Sequence, residues 1–251
     1  ADRILDDWHA IFQLYEDRFR KLERSSDVTG PVTDGRVGVM LAVENAIVIG
    51  RELSQIGHLY DRGVRMMTPV HIRPNGIGDS SQSDDRPWQG LSPFGEEVVA
   101  EMNRLGMIVD VSHMSDEAVE GVLAITTAPV IASHSAARRY TLGWERNLSK
   151  DLLEGIAETG GVIHVPFGGS FLWARIQSEE QPVWDYVEDS LGLSINSKAG
   201  REASQRFRQR SGIGYATIGH VADQIDYIVG AVGVEHVGIG SGFDGSGDSM
   251  P

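Results

Sequence analysis

Four residues of this 251-residue chain are of types from which metal centres are built, and they stand in similar settings. Glu44 ends the apolar run RVGVMLAVE, His71 ends VRMMTPVH, and two Ser-His pairs end MIVDVSH at His113 and APVIASH at His134. Successive side chains on a strand face opposite ways, so an ionisable residue at a strand end aims into the mouth of a barrel whose ends converge. Taken singly, each histidine reads as a hydrogen-bonded core or rim residue. Taken together, two His and one Glu without Cys make a catalytic zinc set that leaves a position for water. Zinc there would lower the pKa of that water to about 7 and polarise a carbonyl. Asp110, three residues before His113, points to the opposite face of a regular strand and reads as a buried polar partner.

The elements that must deliver these residues alternate. Ile4, Trp8, Phe12, Tyr15, Phe19 and Leu22 recur at helical spacing and predict a helix over Ile4–Leu22. Arg36–Glu44 reads as one buried strand, 49–62 as a helix, 64–71 as a strand and 73–89 as a polar loop. A helix opened by Ser92 or Pro93 and closed by Gly106 follows. Strand 107–113, helix 116–125, strand 129–134, helix 149–158 and strand 161–166 continue the alternation, which resumes with helix 218–229 and strand 236–240. Such a rhythm predicts α/β architecture with a parallel sheet and helices packed outside it, of (β/α)8 barrel type, with active-site residues at the C-terminal strand ends. Six strands are legible where the barrel needs eight. The whole chain, 1–251, reads as one barrel domain carrying a polar insertion at 173–212, partly helical, whose Arg201, Arg206, Arg208 and Arg210 read as a solvated helix face.

Composition narrows the chemistry. A net charge of −14 disfavours nucleic-acid backbones and anionic membrane surfaces. Without cysteine there is no disulfide framework, no Cys-based zinc site and no thiol nucleophile. No apolar run approaches the roughly 18 residues of a membrane span, and ADRILDDWHAIF does not read as a signal peptide. The run GSGFDG, Gly240–Gly245, fits a dinucleotide fingerprint but lacks the following helix that would hold a pyrophosphate, so no nucleotide cofactor is expected.

Longer stretches carry a resemblance. GLSPFGEEVVAEMNRLGMIVDVSHMS, APVIASHSAARRY, RNLSKDLL and GVEHVGIGSGFDG are similar to the membrane (renal) dipeptidase family of zinc peptidases. The resemblance implies an amidohydrolase-type (β/α)8 barrel that binds two zinc ions and hydrolyses dipeptides. It implies that Glu44 bridges the two metals, that His113 and His134 hold the second one, that His71 contacts the substrate and the tetrahedral intermediate, and that Arg146 receives the substrate carboxylate. In the family a Gly usually stands where this chain has Asn45.

Two departures shape the expectation. The family's His-x-Asp pair for the first metal occurs nowhere in this sequence, and Gly242 stands where the family has an Asp that handles the proton of the reacting water; Asp244 is the motif's second acidic residue. The chain therefore reads as an interior fragment or degenerate member, incomplete at both ends, supporting one zinc and impaired in turnover. Exposed sheet edges would invite a homo-oligomer. Another metal-dependent amidohydrolase, acting on a lactone, phosphotriester or N-acyl amino acid, and a non-catalytic pseudoenzyme are the competing readings.

Overall fold

The computed structural model describes residues 1–28 and 34–242, which fall into two compact units, Ala1–Val130 and Ile131–Pro251. In the first, α1 (Asp2–Leu14) buries Leu5 and Phe12. The expected helix to Leu22 stops early, because Phe19–Lys21 form β1 and pair in parallel with β2, Val37–Val39. Apolar spacing cannot register that a parallel partner offers hydrogen bonds to those same residues. For the same reason the single strand expected over 36–44 is two: after β2 the chain changes partner at Met40, and β3 (Leu41–Glu44) pairs with β4, Val64–Thr68. The helix expected over 49–62 is a 3-10 turn, Ala46–Ile49, followed by α2, Ser54–Asp61.

Helix α3 (Pro93–Leu105) starts and stops as its caps demand. The Ser92 hydroxyl accepts from the Gly95 amide at 2.9 Å, and Gly106 terminates it in the left-handed conformation. Gly95 is required by packing, since a Cβ there would meet the Ile77 carbonyl oxygen at 2.1 Å. Strand β5 (Ile108–Val109) pairs in parallel with β4, and α4 (Asp116–Ile125) follows, capped by Ser115. Ile56, Val64, Met67, Val98, Val99, Met102 and Val109 are buried and form the apolar interior of this unit.

The second unit repeats the pattern with β6 (Ile131–Ala132), α5 (Lys150–Glu158), β7 (Val162–Pro166) and the short α6, Gly169–Leu172. After α7 (Ala174–Trp184), a π-helical turn (Asp185–Ser190) leads to α8 (Lys198–Ser211). Helix α9 (Ile218–Val232) and strand β8 (Val237–Ser241) complete it. Strands β6, β7 and β8 form one parallel sheet in that order.

The segment expected as a polar insertion is helical and has its own apolar cluster, Val187, Ile195 and Ala203, with Trp184, Tyr186 and Leu193 packed on it. Here one expectation is corrected. Arg201, Arg206 and Arg210 are exposed, but Arg208 is buried at 3% exposure, 3.6 Å from the equally buried Glu180 and stacked over Tyr215 at 4.8 Å. A buried carboxylate on α7 draws that arginine inward.

Among the described residues there are eight strands, every strand pair is parallel, and no helix is long and apolar enough to cross a membrane. Asp244 and the glycine-rich run beyond Gly242 lie outside the described residues.

Candidate metal centre

Glu44 is the last residue of β3, opposite Thr68 of β4, and the Asn45 amide donates to the Thr68 carbonyl at 3.1 Å. The chain then turns sharply, with Asn45 at φ +74°. That region is open to Gly, and among other residues Asn tolerates it best, so Asn can stand where the resemblance has Gly. Its side-chain oxygen accepts from the Ile47 amide and the Asn75 amide group, both at 3.3 Å.

The strands proved shorter than expected, so the three histidines sit on the loops that follow them rather than at their last residues. Such loops are where barrel enzymes place functional groups. Asp110, fully buried, holds the loop after β5 in shape: it accepts from the Thr68 hydroxyl at 2.6 Å and from the Ser112 amide at 3.1 Å. The next residue, His113, is in the left-handed region at φ +69°. Positive φ in a non-glycine residue costs of order 1–3 kcal/mol and persists where surrounding bonds over-determine it. Here the His113 carbonyl accepts from the Ser81 amide at 2.9 Å.

The long loop supplies that clamp because a buried carboxylate folds it back. Asp79 accepts from the amides of Gly90 (2.9 Å) and Trp88 (3.3 Å), and Ser80 forms an antiparallel bridge with Met114. The Ser80 hydroxyl donates to the His71 carbonyl, and the Gln82 amide donates to that hydroxyl at 3.2 Å. Sequence reading treated 73–89 as a polar connection and missed these residues. The serine and aspartate content of GDSSQSDD, typical of side chains that bond their own backbone, was the available signal.

Glu44, His71 and His113 thereby come together, with one ligand atom from each lying within 4.8 Å of the others. His113 Nε2 is 3.1 Å and His71 Nε2 3.9 Å from Glu44 Oε1, and the imidazole rings are 4.4 Å apart. Ligands on a tetrahedral zinc, with bonds of about 2.0–2.1 Å, are separated by roughly 3.4 Å. The cluster brackets that spacing. His113 Nδ1 faces Gln82 Oε1 at 2.6 Å; an amide oxygen only accepts, so His113 carries its proton on Nδ1. In the neutral ring Nε2 then points a lone pair at a carboxylate oxygen. Two acceptors at that separation repel unless a proton or a cation lies between them, so the donor set fits a metal. Glu44 is half-exposed, His71 about a third exposed and His113 buried, which leaves the cluster open on one side.

The other two site candidates belong to the second unit. His134 follows β6 by two residues, with Nδ1 2.7 Å from the Ser133 hydroxyl. Arg146 is buried at 2% exposure, donates from Nη1 to the Ser135 hydroxyl at 2.7 Å, and lies over the Phe171 ring at 4.9 Å. Its neighbour Asn147 is fully buried and braces the loop, accepting from the Ala136 amide and donating to the Thr141 hydroxyl and the Phe171 carbonyl. Gly242 has φ +74° and offers no carboxylate.

Known proteins resemble the chain over nearly its whole length. The sequence profile described as membrane dipeptidase, peptidase family M19, matches residues 3–250. An uncharacterized dipeptidase of Schizosaccharomyces pombe is 35% identical over 215 residues, covering 84% of this chain and 42% of that protein. The chain spans about half the length of the curated relatives it matches. Among solved structures, the probable dipeptidase PvdM from Pseudomonas aeruginosa superposes with a TM-score of 0.77 at 28% identity, covering 94% of this chain and 64% of that one. A metallo peptidase from Rhodobacter sphaeroides, liganded with a phosphinate mimic of the dipeptide L-Ala-D-Ala, gives 0.74 at 25% identity, covering 96% of this chain and 60% of that one. These likenesses agree with the expected α/β class of (β/α)8 barrel type. A profile match from residue 3 to residue 250, over a chain that brings Glu44, His71 and His113 together in a group able to hold a metal ion, shows that this protein belongs to the membrane dipeptidase family of metallopeptidases, M19.

Proposed function

We propose that the chain carries part of a zinc-dependent dipeptidase. The observation that carries this reading is the Glu44–His71–His113 cluster, arranged as a cation site in a chain of a metallopeptidase family. Glu44 and His113 would hold the metal, with His134 as third ligand; His134 enters from the sequence resemblance. Zinc, when bound, supplies water activation and carbonyl polarisation. His71, partly exposed beside Glu44, donates a hydrogen bond to the oxygen on which charge develops. Arg146 presents its planar fork to the C-terminal carboxylate of a dipeptide, a two-pronged pairing a lysine cannot reproduce. The contacts to Ser135 and Phe171 hold that guanidinium flat, so little freedom is lost on binding. The ligand of the Rhodobacter sphaeroides structure, a dipeptide mimic, supports the substrate class.

The test pairs zinc titration of the purified chain with hydrolysis assays on an active homologue that carries the same site residues. His113→Ala and His134→Ala are expected to abolish tight zinc binding and His71→Ala to keep it while lowering dipeptide turnover. Loss of zinc with His71→Ala and retention with His134→Ala would reassign the third ligand to His71. Arg146→Lys is expected to raise KM for free dipeptides by about tenfold or more. Equal cleavage of free and C-terminally amidated dipeptides by the unmutated protein would refute the carboxylate anchor.

A further inference from the structure

We infer that Gln82 is a positioning residue that selects the tautomer of His113 and so aims its Nε2 lone pair at the metal; the metal part of this inference rests on the reading above. Nothing in the metal chemistry itself decides which imidazole nitrogen is deprotonated. The second nitrogen's partner decides it. At 2.6 Å from His113 Nδ1, Gln82 Oε1 accepts the proton on that nitrogen, and Nε2 is the nitrogen turned toward Glu44, at 3.1 Å.

The arrangement extends to the second histidine. Gln82 is fixed at its backbone by the Ser80 hydroxyl, which at the same time donates to the His71 carbonyl, and the intervening Ser81 amide bonds the His113 carbonyl. The tripeptide Ser80–Gln82 therefore touches both histidines of the cluster, binding one by its backbone and the other by backbone and ring. A histidine ligand is usually oriented by a carboxylate or a backbone carbonyl. A neutral amide is a weaker acceptor. It sets the orientation while drawing less electron density toward Nε2, so this chain trades some metal affinity for a ligand whose geometry is held by an uncharged group.

Two measurements decide the matter. Long-range ¹H–¹⁵N correlation spectra of the metal-free chain read the imidazole tautomers directly. His113 is expected to hold a proton on Nδ1, with Nε2 sharing a proton with Glu44 while no metal is bound, and its Nδ1 protonation is expected to become partial in Gln82→Ala. Zinc affinity, by competition against a chromophoric chelator, is expected to fall about tenfold in Gln82→Ala, the lower end of the range for outer-sphere partners, because Gln82 is solvent-exposed. Gln82→Glu is expected to bind zinc at least as tightly as the parent, since a carboxylate accepts the same proton more strongly. Gln82 is exposed, so unfolding is not the expected result, and thermal melts check this. An unchanged tautomer in Gln82→Ala would overturn the inference, as would affinities within twofold across the three proteins. Failure of the parent to bind zinc would overturn the metal reading and the affinity arm, and the tautomer spectra would still decide whether Gln82 sets the His113 proton.

Discussion

Two backbone positions at the cluster, Asn45 and His113, hold positive φ without being glycine. They differ in what that conformation is for. At Asn45 the side chain is itself compatible with the turn, so Asn45→Gly is expected to shift stability by only a few tenths of a kcal/mol, whereas Asn45→Ala should cost about 1 kcal/mol or more. Urea denaturation of the two variants checks this. Equal destabilisation by Gly and Ala would mean that the contacts to Ile47 and Asn75, rather than the dihedral, hold the turn. At His113 the conformation serves the imidazole. His113→Gly and His113→Ala remove the same imidazole, so any difference between them reports the backbone alone: the Gly variant is expected to be more stable by about 1 kcal/mol, and under the proposed function zinc binding is expected to be lost in both.

Among elements, the α7–α8 pair holds the one feature that composition misjudged. Burial pushes the Glu180 carboxyl above its ordinary range, while Arg208 and the hydrogen bonds from Ser170 pull it partly back. A carboxyl raised in the folded state favours folding when protonated; its contribution is full below about pH 4.5 and is lost as pH rises through the raised value. Glu180→Gln has no such titration, but it leaves Arg208 buried without its counter-charge at a cost of about 3–5 kcal/mol. The variant is therefore expected to be less stable than the parent at pH 7, with the gap widening as pH falls toward 4.5. Replacing both residues, Glu180→Leu with Arg208→Met, is expected to be neutral or stabilising. Denaturation midpoints at pH 5 and 7 distinguish these cases, and a gap independent of pH would show that Glu180 is already ionised and well paired throughout.

At the scale of the whole molecule, the consequence of the missing residue types is metal stoichiometry. The 251 residues contain no His-x-Asp pair, and Gly242 has no carboxylate. One tightly bound zinc per chain is expected by elemental analysis, and two would overturn the assignment. Gly242→Asp alone is not expected to restore dipeptide turnover in this chain, because a proton-handling carboxylate contributes roughly 10²- to 10⁴-fold only where the reacting water is already activated. Measurable recovery by that single change would show that one metal suffices.

How much of this was legible beforehand follows from what each signal depends on. Helices α3, α4 and α5 could be read to within a residue because their Ser caps and the Gly106 stop are local chemistry. Glu44, His71 and His113 could be picked out because strand-end ligand types and family motifs are written in the chain. Strand partners were not: β1 for a supposed helical turn, and the switch from β2 to β3 at Met40, depend on hydrogen bonds offered by residues distant in sequence. The same holds for Arg208, whose burial depends on Glu180 arriving from another helix, and for Gln82, whose role depends on Asp79 folding a polar loop back onto His113. Residue types and local caps were thus determined by the sequence itself, whereas only the tertiary structure decided which nitrogen of His113 is turned toward Glu44, because the partner that holds the other nitrogen lies 31 positions away.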